Sequence, residues 1–115
     1  MDQLNAYRAS IRHVLSRYAN LDSQGPPGPG VKTYCSFDDE HDQYLVIRVG
    51  WAGQRRVKGV VLHVRIEDGK VWLEENGTDR EIASELVALG VAPRDIVIGF
   101  HHPSLRESTP SAVAW

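Results

Sequence analysis

The spacing of apolar residues changes along the chain, and each change marks a new element. Leu4, Ile11, Val14, Leu15 and Tyr18 recur at helical spacing, while Arg8, Arg12 and Arg17 fall largely elsewhere. This predicts an amphipathic first helix. Asp2 is placed to cap it, because its carboxylate can accept from early N–H groups that lack a helical partner. Asn20 to Ser23 ends it. From Val31 the period falls to two: Val31, Thr33, Cys35 and Phe37 alternate with Lys32, Tyr34 and Ser36, predicting a strand. Gln43 to Trp51 predicts a second, with Leu45, Ile47, Val49 and Trp51 on one face and Tyr44, Val46 and Arg48 on the other. Arg55 to Ile66 predicts a long third. One face carries Val60, Leu62, Val64 and Ile66; the other carries Val57, Gly59, Val61, His63 and Arg65. In the fourth, Lys70 to Glu75, Val71 and Leu73 face opposite to Trp72.

The punctuation between these segments sets the topology. Ser23 to Gly30 is rich in proline and glycine and holds no core residue, so 23–30 reads as a flexible linker. Asp38 to Asp42, Ala52-Gly53-Gln54 and Glu67-Asp68-Gly69 are turns, the last a strong hairpin signal because Asp-Gly supplies positive φ readily. Four strands joined by turns make an antiparallel meander. Thr78-Asp79-Arg80-Glu81 has capping-box spacing and opens a second helix, with Ile82, Leu86 and Leu89 on one face and Gly90 as its C-terminal stop. A turn at Ala92 to Asp95 leads to a short final strand at Ile96 to Phe100, whose place in the sheet the pattern leaves open. His101 to Trp115 is polar and irregular. The order describes an α+β fold in a single domain over 1–115, with helices covering one sheet face. Val57, Val61 and Trp72 fall opposite the main core face, so the tail or another chain must cover a surplus apolar surface.

Composition narrows the function. A chain of 115 residues suits one modest core. A net charge of −2 gives no basic footprint for phosphate contacts, which disfavours DNA binding by this chain alone. Cys35 is the single cysteine, so no intramolecular disulfide can form, in keeping with a reducing cytoplasm. The N-terminus lacks a signal-peptide pattern, and no apolar run approaches the roughly 20 residues needed to cross a bilayer.

The residues that could carry chemistry do not assemble into a motif. His101 and His102 are adjacent and point opposite ways on an extended chain, and no spacing ties them to His63 as a metal site. Asp38-Asp39-Glu40-His41-Asp42 lacks the glycine and distal glutamate of a calcium loop and reads as a solvated acidic turn. There is no nucleophile elbow, phosphate-binding glycine loop or zinc-protease helix motif. The expectation is a protein that is not an enzyme, with no metal and no cofactor.

The order of several sequence blocks goes further. Val49-Gly50-Trp51-x-Gly53-x-Arg55-Arg56-Val57-x-Gly59 precedes Leu62-His63-x-x-Ile66-x-x-Gly69-Lys70-Val71-Trp72. Asn76-Gly77-Thr78 then leads to Ile82-Ala83-x-Glu85-Leu86-Val87-x-x-Gly90-Val91. Asp95-Ile96-Val97-Ile98-Gly99-Phe100-His101-x-Pro103-x-x-Arg106 closes the series. With Tyr7 in the first helix, these blocks resemble the XisI family of fdxN-element excision controlling factors over nearly the whole chain. The chain departs from the family pattern in the 23–30 linker, at Cys35-Ser36 and in the tail. The resemblance implies an XisI-like fold, no catalytic residues, and a cytoplasmic accessory role in programmed excision of a DNA element in cyanobacteria. It also implies an XisH-like partner protein, itself similar to nuclease folds, acting with this chain on a site-specific recombinase. Trp51, Arg55, Arg56, His63, His101 and Arg106 form the expected polar–aromatic surface for that partner or for a second copy. Two other readings have discriminating requirements. A DNA-binding directionality factor needs Arg12, Arg55, Arg56, Arg65 and Arg106 to cluster. A small metal protein needs His63, His101 and His102 to converge.

Overall fold

The computed structural model describes residues 3–22 and 30–101; the expected Asp2 cap, the 23–29 part of the linker, and the chain from His102 onward, Arg106 included, lie outside the described residues. The elements are α1 (Gln3–Asp22), β1 (Val31–Asp38), β2 (Gln43–Ala52), β3 (Arg55–Glu67), β4 (Lys70–Asn76), α2 (Ile82–Ala88), a 3-10 turn at Pro93–Asp95 and β5 (Ile96–Ile98). The five strands form one sheet in the order β1-β2-β3-β4-β5. The first four make the antiparallel meander. β5 joins the outer side of β4 in parallel, Val71 opposite Ile96 and Leu73 opposite Ile98. A parallel neighbour needs a crossover, and α2 with the 3-10 turn provides it.

One face of this sheet is the core. α1 lies over β1 and β2 and against α2. Its Tyr7, Ile11, Val14, Leu15 and Tyr18 are buried, as the helical spacing predicts. They meet Tyr44, Val46, Leu62, Val64, Ile66, Val71, Leu73, Ile96 and Ile98, together with Ile82 and Leu86 of α2, in one cluster. Tyr44, Ile11, Leu15, Leu62, Ile82 and Leu86 are among the side chains with essentially no exposure. Each such aliphatic side chain contributes about 1.5–3 kcal/mol of burial.

The alternation of β3 breaks at one point. Val46 pairs with Leu62, yet Ile47 pairs with Val60, so Val61 is an extra residue opposite no partner. This β-bulge turns Val61 and Leu62 to the same side. Two expectations are thereby corrected. Val61 is buried in the core rather than opposite it, and Val60 is exposed rather than internal. Val57 pairs with Gly50 and Val31, two residues from the Gly59–Arg48 pair, and so belongs to the helix side. Of the three residues expected on the surplus face, Trp72 alone is there. The Val61 carbonyl accepts the Gly77 N–H at 2.7 Å, which links the bulge to the end of β4.

The second helix also starts later than its sequence suggests. Thr78 makes no capping box. Its hydroxyl donates to Asn76 Oδ1 at 2.6 Å and accepts the Arg80 N–H at 3.1 Å. Asn76 captures the residue that would have capped, so α2 begins at Ile82 with no side-chain cap. Its end matches expectation: the Val91 N–H reaches the Leu86 carbonyl and the Gly90 N–H reaches that of Val87, the paired bonds of a Schellman stop. Leu89, expected on the apolar face, is exposed because the helix has already ended.

The acidic turn is a clasp rather than a solvated loop. Asp42 Oδ1 and Oδ2 accept from Arg8 Nε and Nη2 at 2.7 and 3.2 Å, and Asp39 accepts from Arg12 and from the Tyr44 hydroxyl. The β1–β2 turn thus holds the first half of α1. At the other end of the hairpin, Gly50 has φ of +152°, and a Cβ there would lie 2.0 Å from the Gly30 carbonyl oxygen. Only glycine permits this approach of β1 to β2.

Candidate functional site

The face away from the helices is built from rows of directly opposed side chains. Tyr34, Ile47 and Val60 form one row across β1, β2 and β3. Lys32, Val49 and Lys58 form the next toward one end, and Trp51 stands opposite Arg56 beyond it. Toward the other end run Ser36, Leu45, His63 and Glu75, then Asp38, Gln43, Arg65 and Trp72. Trp51 is 53% exposed, Tyr34 49% and Val60 36%, unusually high for large apolar residues in the middle of a sheet.

Charge is distributed unevenly along this face. One end carries Lys32, Arg56 and Lys58. The Arg56 guanidinium lies 5.3 Å from the Trp51 ring, a cation–π pair that keeps both side chains against the sheet. The other end is mainly acidic, with Asp38, Glu67, Glu74 and Glu75. There Arg65 sits 4.7 Å from the Trp72 ring and bridges Glu67 and Glu74.

The structure brings only part of the expected site together. Trp51 and Arg56 are adjacent. Arg55 pairs with Ala52, and alternation sends it to the opposite side. His63 lies on the uncovered face, its Nε2 2.7 Å from Gln43 Oε1. His101 packs edge-on against Phe100 and borders a hollow with Leu73, Ile82 and Ile98, residues of the helix-covered side. The two histidines thus belong to different faces. Tyr34, Leu45, Ile47, Val49 and Val60 were not foreseen as site residues. The signal was present in β2, whose two faces are both apolar, but only strand register shows which face the helices leave open.

Titrating groups here are tied to structural contacts. Hydrogen bonding to Arg8 holds the Asp42 carboxyl below the usual range. Bonding to His41 does the same for Asp38. Burial raises the Tyr44 hydroxyl, and neighbouring Asp39 adds to the shift. Burial likewise pushes up the Cys35 thiol, whose Sγ lies 3.8 Å from the Leu15 carbonyl. Among the described residues, Asp38, Glu40 and His41 bring ligand-type atoms within 4.8 Å of one another, all exposed. Asp38 already spends its oxygens on the turn, accepting the Glu40 and His41 N–H groups and facing His41 Nδ1 at 2.7 Å.

A two-layer α+β domain with both helices on one side and a broad open sheet on the other defines a class built to present a surface. The chain belongs to the XisI family: the family described as XisI protein matches residues 1–113. A crystal structure of a XisI-like protein from Anabaena variabilis ATCC 29413 is 38% identical, with a TM-score of 0.87 over 97% of this chain and all of that one. A second structure, of fdxN element excision controlling factor XisI from the same organism, is also 38% identical. Its TM-score is 0.78, over 91% of this chain and 99% of that one. No curated protein matches the sequence. Among the described residues, no helix is long and apolar enough to cross a membrane.

Proposed function

We propose that this chain is a cytoplasmic controlling factor for excision of a DNA element, acting by binding an XisH-like protein rather than by catalysis. Family membership supports the excision role. The uncovered face supports the mode of action. Tyr34, Ile47, Val60 and Trp51 form an apolar and aromatic centre flanked by charge, the composition favoured at the middle of protein interfaces.

The test is co-expression with an XisH-like protein, followed by size-exclusion chromatography with light scattering. A mixed complex that survives moderate salt and is lost in Ile47→Asp or Trp51→Ala supports the reading. Separate elution at low and moderate salt sinks it. Lys32, Arg56 and Lys58 at one end favour a second reading, in which the complex uses this end against a phosphate backbone. A salt-sensitive mobility shift that needs both proteins and weakens in Lys58→Glu would support it.

A further inference from the structure

The sheet has two edges of very different kinds. β5 is three residues long and fully buried. β1 runs for eight residues with no bulge and no proline, and among the described residues no strand pairs with its outer side. Natural edges of this length are usually blunted by a kink, a proline or an inward charge. β1 has none of these.

Its hydrogen-bonding pattern shows what it offers. The Trp51 N–H bonds the Gly30 carbonyl at 2.9 Å, so Gly30 and Trp51 are a bonded pair. Alternation then turns the backbone groups of the even-numbered residues of β1 toward β2. Those of Val31, Cys35 and Phe37 point outward. An incoming antiparallel strand must match these outward residues with its own.

We infer that the partner at this edge is a second copy of this chain, pairing β1 with β1 antiparallel about Cys35. Of the registers the pattern allows, this one uses nearly the whole strand and places opposite charges together. Lys32 falls opposite Asp38 of the other copy, and Asp38 opposite its Lys32. Tyr34 falls opposite Ser36, a large residue beside a small one. Cys35 meets its own counterpart on the axis. The contact is isologous and closed, as a two-fold dimer requires. The axis runs perpendicular to the sheet, so the helices of both copies share one side and the two uncovered faces join into one ten-stranded surface. The edge is separate from the proposed partner-binding face, and the dimer stands whether or not that reading holds.

Three measurements on the purified full chain decide it. Light scattering at tens of micromolar is expected to give twice the 12.8 kDa of one chain. Bonded antiparallel pairs have Cα atoms about 5.5 Å apart, within disulfide range. Copper-phenanthroline oxidation is therefore expected to convert the protein to a Cys35–Cys35 dimer that reductant reverses, while Cys35→Ser stays uncoupled yet dimeric. Lys32→Asp sets carboxylates opposite each other at two places and is expected to weaken the dimer about tenfold. Adding Asp38→Lys restores opposite charges and is expected to recover most of that loss. Lys32 carries the weight of this arm, because Asp38 also holds the β1–β2 turn. A monomer at these concentrations overturns the inference. So does a dimer whose Cys35 residues do not couple, which would place the second copy elsewhere, or a Lys32→Asp chain that dimerises like the original.

Discussion

The two faces of the sheet are made from the same strands and comparable apolar residues, yet they have different fates. On one side Tyr44, Val46, Leu62 and Val64 lie beneath α1 with no measurable exposure. On the other, Tyr34, Ile47 and Val60 line up with equal regularity and nothing among the described helices covers them. What separates the faces is helix placement, fixed by specific ties: Arg8 to Asp42, Arg12 to Asp39, Arg48 to the Tyr18 hydroxyl, and Tyr7 to Asp95. Apolar patterning decides that a strand has a buried side. Polar contacts between layers decide which one.

Matched truncations on the two faces break the comparison most sharply. Leu62→Ala is expected to cost about 2–5 kcal/mol in urea unfolding, since it removes a fully buried side chain and leaves a cavity. Gly50→Ala comes next. With its positive φ and a Cβ meeting the Gly30 carbonyl, it should lose roughly 2–3 kcal/mol by the same assay, at a position belonging to neither layer.

Arg8→Ala probes the ties themselves. It leaves the half-buried Asp42 carboxylate without its guanidinium, and a loss of about 1–2 kcal/mol is expected from thermal melts at pH 7. The same pair carries a pH signature. The folded Asp42 carboxyl titrates below its unfolded value of 3.8, so its stabilisation is complete above that value and disappears as pH falls through the lower folded one. The difference between wild type and Arg8→Ala should therefore shrink below about pH 4. Ile47→Ala should have the smallest effect, about 1 kcal/mol or less on unfolding. An unfolding loss equal to that of Leu62→Ala would mean that the open face is covered in solution.

The elements were legible in the sequence where period and turn chemistry agreed. The helical spacing of Ile11, Val14, Leu15 and Tyr18 marked the buried stripe of α1, and Asp68-Gly69 has the paired positive φ, 55° and 75°, of its predicted hairpin. The bulge at Val61 was not legible. An extra residue in a run of Val-Val-Leu leaves composition unchanged while inverting the faces before it. The late start of α2 was hidden for a related reason: Thr78 satisfies the capping spacing, and only the neighbouring Asn76 side chain redirects it. Of the candidate surface, Trp51 and Arg56 could be read together because they flank one tight turn. The Tyr34–Ile47–Val60 row depends on register across three strands, which no local window contains.

The tie between Tyr7 and Asp95 spans 88 residues, with the Ala92 N–H also bonding the tyrosine oxygen at 3.3 Å. During synthesis α1 is the first element to emerge, and this anchor is among the last. At the usual 5–20 residues per second, the helix waits on the order of 4–15 s for Asp95 to be made. Through that interval the nascent chain can lay α1 on the β1–β2 hairpin but cannot fasten its beginning. A ribosome stalled before Ala92 would present a protein whose first turn is still open, and the last strand to form is the one that locks the first helix to form.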